Sequence, residues 1–169
     1  MSDQSFPNMI DGRNFHAKCD ATAEYNCVAW ALHSQRHYIW PDKLEQFSWP
    51  IGMRRDDSPK GLLRLFEYVG FAVCAGGARE IGFEKIAIYA KGGWSQHVAR
   101  QLPNGKWTSK LGPAIDVEHS DPSVLTGPNY GEVVLHMRRK SDGRPPTLPK
   151  LHPPPSKLID AGGMPLTRK

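Results

Sequence analysis

The sequence predicts an α+β domain in which N-terminal helices are followed by a small antiparallel sheet. Two observations carry this. Apolar residues recur at helical spacing between residues 27 and 69, and after Gly70 the pattern changes to short runs rich in β-branched and aromatic residues. The first 24 residues mix Gly, Asn, Asp and Pro without a period and read as an irregular arm. From Cys27 to about Arg36, CVAWALHSQR places Val28, Ala31 and Leu32 on one face, with Asn26 where an N-cap belongs. Ser58-Pro59 opens a second helix, a cap residue followed by proline at the first helical position. Leu62, Leu65, Phe66 and Val69 form its apolar face, and Gly70 stops it. FAVCA, EKIAIYA, HVARQL, KWTSKL and EVVLHMRR then read as strands. HVARQL and KWTSKL are joined by a turn containing Asn104-Gly105, a hairpin signal.

Charge divides the chain. The net charge is +5, yet residues 1–137 hold 14 basic and 15 acidic side chains, and the basic excess lies from Arg138 onward. The body is therefore near neutral, which argues against a specific nucleic-acid-binding domain. Seven of the 15 prolines fall within residues 141–169, so this stretch reads as an extended, disordered, proline-rich basic tail. Pro146 and Pro149 make a minimal PxxP, giving a docking tail for a partner protein or a solvated linker. The expected organisation is an arm (1–24), a globular domain (25–140) and a tail (141–169).

With 39% hydrophobic residues the chain can build a core, and no apolar run approaches the length needed to span a bilayer. MSDQSFPNMIDGRNF lacks the apolar stretch of a secretory signal. A cytoplasmic location is expected, with export as an effector by a specialised machine left open. The three cysteines, Cys19, Cys27 and Cys74, lack both CxxC metal spacing and the density of a disulfide scaffold. Free thiols, no metal and no cofactor are expected.

Cys27 begins the first predicted helix, where backbone N–H groups favour a thiolate. The alternative is a small buried apolar residue. His97 follows the loop Gly92-Gly93-Trp94-Ser95-Gln96 at a strand start, expected at the sheet's edge within reach of that thiol as its base. Trp94 either lines a substrate groove or covers the end of the sheet.

This layout resembles papain-like thiol hydrolases, NlpC-type peptidases and amidases above all. HVARQLPNGKWTSKL is similar to their HVGIYLGNGKYIHA-shaped stretch, and YNCVAWAL stands in place of a DCSGLV-like segment. The resemblance implies a papain-like core, Cys27 as nucleophile, His97 as base and Ser109 at the orienting position, where the pattern usually has His, Asn or Gln. Asp116 or His119 is the alternative third member. Ala21 stands where papain keeps an oxyanion-donating Gln, so Asn26 or backbone N–H groups would serve. Lys110, next to Ser109, is expected to face solvent. YNCVAWAL, GFEKIAIYA, HVARQLPNGKWTSKLG and YGEVVLHMRR also resemble a bacterial domain family of unknown function. Two functions are expected from these residues. One is a cysteine hydrolase of peptidase, amidase or deamidase type acting on a peptide or protein. The other is a catalytically inactive binding or immunity module.

Overall fold

Alternation along a single strand organises this molecule. The computed structural model describes residues 5–153. In β4 (Phe83–Lys91), Ile86 and Ile88 point to one side of the sheet while Ala87 and Tyr89 point to the other, and all four are fully buried. A strand buried on both faces needs a core on each. One core gathers Ile86, Ile88 and Val98 with the helical residues Val28, Leu32, Leu62, Leu65 and Phe66. The opposite core gathers Ala87, Tyr89, Ala99, Trp107, Val124 and Leu125.

The main sheet has seven strands, all paired antiparallel, in the order β1-β7-β6-β5-β4-β8-β3. They are β1 (Phe15–Cys19), β3 (Ala72–Cys74), β4, β5 (Trp94–Gln101), β6 (Trp107–Lys110), β7 (Asp116–His119) and β8 (Glu132–Lys140). A two-stranded ribbon pairs β2 (Trp49–Pro50) with β9 (Leu151–His152).

This overturns the expected fold class. The chain is mostly antiparallel sheet, with two α-helices of 5 and 10 residues among the described residues, and it is not a helix-led papain-like α+β core. The first helix, α1 (Cys27–Ala31), starts at its Asn26 cap as expected but ends five residues early. His33 adopts φ 61°, a left-handed conformation that breaks the helix, and Ser34 N–H closes on the Ala29 carbonyl at 2.8 Å. A strand also precedes the helix. Residues 15–19, read as irregular arm, form the edge strand β1 with only Phe15 partly buried, so no alternating apolar pattern announces it.

The second helix, α2 (Pro59–Tyr68), follows the sequence closely. Proline stands at its start, Leu62, Leu65 and Phe66 are buried, and Gly70 follows at φ 104°. A side chain at Gly61 would meet the Asp56 carbonyl oxygen at 1.8 Å, so the first turn packs on that loop only with glycine there. The β5–β6 hairpin also forms, pairing Arg100 with Thr108 and Gln101 with Trp107 around Asn104-Gly105.

The proline-rich segment is described as far as residue 153, and the rest of the tail lies outside the described residues. Pro146 is buried, Leu148 packs against the helical core, and Ile51 N–H donates to the Lys150 carbonyl at 2.9 Å. The first PxxP proline is thus engaged by the body of the same chain, and Leu151–His152 forms a short strand where none was expected. No helix among the described residues is long and apolar enough to cross a membrane.

Candidate functional site

Cys27 and His97 stand 70 residues apart in sequence and line one cavity of about 170 Å³, with Asn26, Tyr38, Trp40, Phe47, Gln96, Gly112 and Tyr130. Cys27 reaches it from the helical face, where it belongs to that core. His97 reaches it from the opposite face. It shares its side of β5 with Ala99, meets Tyr89 edge-on at 5.2 Å and stacks on Tyr130 at 4.2 Å with the rings 2° from parallel. Beside the cavity β6 has left β5. Arg100 and Thr108 are the last register pair, so Val98 has no partner on β6. Its N–H instead faces the Cys27 sulfur and lowers the pKa of the thiol.

The cavity wall is held rigidly. The Asn26 side chain clamps Ile39 from both sides, accepting from its N–H at 3.0 Å and donating to its carbonyl at 2.7 Å, while also capping Ala29 N–H at 3.3 Å. Arg55 ties the 40–47 loop, donating to the Phe47 carbonyl at 2.9 Å and to Asp42 Oδ1 at 2.9 Å. Tyr38 and Phe47 stack at 4.6 Å. Asn26 therefore lines the cavity with most of its hydrogen-bonding capacity already used.

Burial sets the electrostatics. It pushes the Cys27 thiol up to about 11, outweighing hydrogen bonds from the N–H groups of Val98, Val28 and Cys27 itself and a smaller pull from the Lys110 ammonium. Burial likewise holds His97 well below the ordinary imidazole range, and neighbouring His119 adds to the effect. Near neutral pH the pair is thiol and imidazole, not thiolate and imidazolium. Both ring nitrogens of fully buried His97 lack a hydrogen-bond partner, the Cys27 thiol included. An orphaned buried imidazole is costly and calls for an explanation.

β5 is the central strand of seven, and His97, expected at the sheet's edge, lies in the stretch of β5 that β6 leaves unpaired. Ser109 is fully buried, but its hydroxyl engages His119 Nε2 at 2.8 Å, not His97. His119 Nδ1 donates to the Asp121 carbonyl at 2.9 Å, so the Nδ1-protonated tautomer accepts the serine proton, and burial holds this ring down to about 4. Trp94 is 51% exposed beside Lys43, whose Nζ lies 5.7 Å from its ring, and does not line the cavity.

Lys110, expected in solvent, is fully buried. Its ammonium donates to the carbonyls of Thr22 at 2.7 Å, Gly112 at 3.0 Å and Ala114, and lies 5.1 Å from the Tyr25 ring. Asp116 pairs with Lys110 across β6 and β7, and its Oδ2 accepts from the Tyr25 hydroxyl at 2.7 Å. This polar knot fixes the 111–115 loop beside the cavity. Tyr130, which reasoning from the sequence did not single out, supplies the ring on which His97 stacks. Only its aromatic character in a Gly-rich turn could have flagged it. No group of three or more metal-ligating side chains clusters among the described residues.

A family model described as a domain of unknown function, DUF7689, matches residues 16–138, a span from β1 into β8 that holds every residue of this cavity. No curated protein and no solved structure matches the chain.

Proposed function

From a chain that belongs to the DUF7689 family, we propose a thiol-dependent hydrolase or acyl-transfer activity, of peptidase, amidase or deamidase type, centred on Cys27 and His97. The observation that carries this reading is their convergence on one small cavity while His97 keeps both nitrogens free.

In this reading the resting site is neutral, so nucleophile and base act together. The Cys27 sulfur attacks a substrate carbonyl as its proton passes to His97, forming a C–S bond and a tetrahedral oxyanion. His97 then returns the proton to the leaving nitrogen, the C–N bond breaks, and water hydrolyses the thioester with His97 as base. The backbone N–H groups that face the sulfur are the available oxyanion donors. Tyr130, stacked on the imidazole, holds its plane in place of the polar orienter that Ser109 does not supply.

The test is alkylation of the folded protein by chloroacetamide near neutral pH, read by mass spectrometry with Cys19 and Cys74 as internal controls. Cys27 is modified in the native protein, and His97→Ala slows that modification at least tenfold while leaving Cys19 and Cys74 unchanged. Modification of Cys27 only in urea overturns the reading.

A second reading is favoured by the neutral thiol and by the absence of a hydrogen-bonded orienter for His97. In it the same cavity is a non-catalytic binding or immunity module. Ligand binding retained in Cys27→Ala, with no turnover by the unsubstituted protein, distinguishes it from the first.

A further inference from the structure

At about 170 Å³ the reactive cavity holds a carbonyl and little more, so the bulk of any substrate must lie elsewhere. A second cavity of about 520 Å³ shares two of its walls, Gly112 and Tyr130. Its lining comes from the N-terminal arm, β1 and the 111–115 loop. Phe6, Met9, Phe15, Leu111 and Ile115 are five of its ten lining residues, and none of the ten carries a charge. The other large cavities share no lining residue with the Cys27–His97 site.

Gly112 and Tyr130 place the two spaces side by side. Gly112 has φ 56°, and a side chain there would meet nothing within 4 Å, so the backbone at this shared wall is not crowded. Tyr130 presents one face to His97 and receives Phe6 edge-on at 5.0 Å. The loop between the cavities is pinned from beneath by Lys110 through the Gly112 and Ala114 carbonyls. Its shape is therefore set before any ligand arrives, and a preformed apolar pocket loses little on binding.

We infer that this cavity is the specificity subsite of the Cys27–His97 centre and takes an uncharged aromatic or branched aliphatic group next to the reacting carbonyl. The substrate class is thus a peptide or amide with an apolar residue beside the bond attacked. Acidic and basic side chains are rejected, because nothing lining the cavity compensates their desolvation. The inference rests on the hydrolase reading for its chemistry, but the pocket's preference can be measured without turnover.

Two measurements separate the claims. The first compares N-methyl, N-isobutyl, N-phenethyl and N-carboxyethyl chloroacetamides in the second-order rate of Cys27 alkylation, in which the C–S bond forms as chloride leaves and His97 takes the thiol proton. The phenethyl reagent reacts at least tenfold faster than the methyl one, and the carboxyethyl reagent reacts no faster than the methyl one. Ala114→Trp, on an exposed wall, and Ile115→Asp each lower the ratio of the phenethyl rate to the methyl rate at least tenfold. The second titrates N-phenethylacetamide, which has no leaving group, into Cys27→Ala by NMR. It binds, it shifts resonances of Leu111 and Tyr130, and binding weakens at least tenfold in the Ala114→Trp background. Equal alkylation rates across the series, or no binding to Cys27→Ala, overturn the subsite. Failure of every reagent to modify Cys27, with binding intact, overturns the hydrolase reading alone.

Discussion

Two buried histidines stand within electrostatic reach of each other and are used in opposite ways. His97 and His119 are 0% and 1% exposed, and burial depresses the basicity of both. His119 has each nitrogen in a hydrogen bond, one with Ser109 and one with the Asp121 carbonyl, so it joins β6 to β7 and the turn beyond. His97 has neither nitrogen engaged and faces a cavity that also holds a thiol. Burial and a lowered pKa therefore do not separate a structural histidine from a reactive one here. Hydrogen-bond satisfaction does, because a satisfied imidazole has no free lone pair with which to take a proton.

The sharpest way to break this comparison is to replace each ring by phenylalanine. His119→Phe leaves the Ser109 hydroxyl and the Asp121 carbonyl without their partner, and is expected to cost about 2–4 kcal/mol. His97→Phe keeps the stack on Tyr130 and removes two unsatisfied buried nitrogens, so stability is expected to hold or rise while Cys27 modification slows. Urea midpoints measure both. Equal destabilisation by the two substitutions would mean that His97 is as structurally engaged as His119.

A smaller effect follows from acid. Both rings have folded pKa values below the unfolded value of about 6.5. The unfolded chain therefore takes up protons first as the pH falls. The stability held by neutral burial is complete above about pH 6.5. It is lost as the pH drops towards about 4, where His119 protonates in the folded state, and neutral burial of His97 adds to the loss as the pH falls below about 6.5. Between pH 6 and 5 the carboxylates with lowered pKa values, Asp56, Glu80 and Glu84, stay ionised and contribute little. Half-buried His136 adds to the slope in the same direction. Each histidine contributes up to about 1.4 kcal/mol per pH unit, so His97→Phe and His119→Phe each remove about that much from the slope of unfolding free energy against pH. Unchanged slopes in both variants would mean that neither imidazole is buried neutral.

The same two residues show what was legible beforehand. Cys27 and His97, which line one cavity, could be picked out from a capped helix start and a strand after a Gly-rich loop, because both signals are local. The third member could not. Whether Ser109 reaches His97 or His119 depends on the side chains' courses across β5, β6 and β7, and β7 (Asp116–His119) lies outside the five runs that read as strands. The fold class failed for a related reason. β1 exposes four of its five residues, and β7 is short and carries two acids and a histidine, so neither has the apolar alternation by which strands are recognised. Without them the sheet loses two of its strands, and the helices look like the leading element. Lys110 misled for its own reason, since its ammonium is buried on three carbonyls that converge from Thr22, Gly112 and Ala114, and convergence is a tertiary fact.

The smallest expected effect concerns Trp94, three residues from His97 on the same strand. An exposed ring beside the Lys43 ammonium contributes little, so Trp94→Ala is expected to change stability by less than about 0.5 kcal/mol. Because Trp94 does not line the Cys27–His97 cavity, the rate of Cys27 alkylation by a small chloroacetamide should also stay within about twofold. Kinetics with a longer peptide reagent add a second comparison. If Trp94→Ala slows the peptide reagent but not the small one, the binding groove runs past Gln96 to the exposed start of β5. If neither changes, recognition is confined to the enclosed side, where His97 meets Tyr130 and the apolar cavity begins.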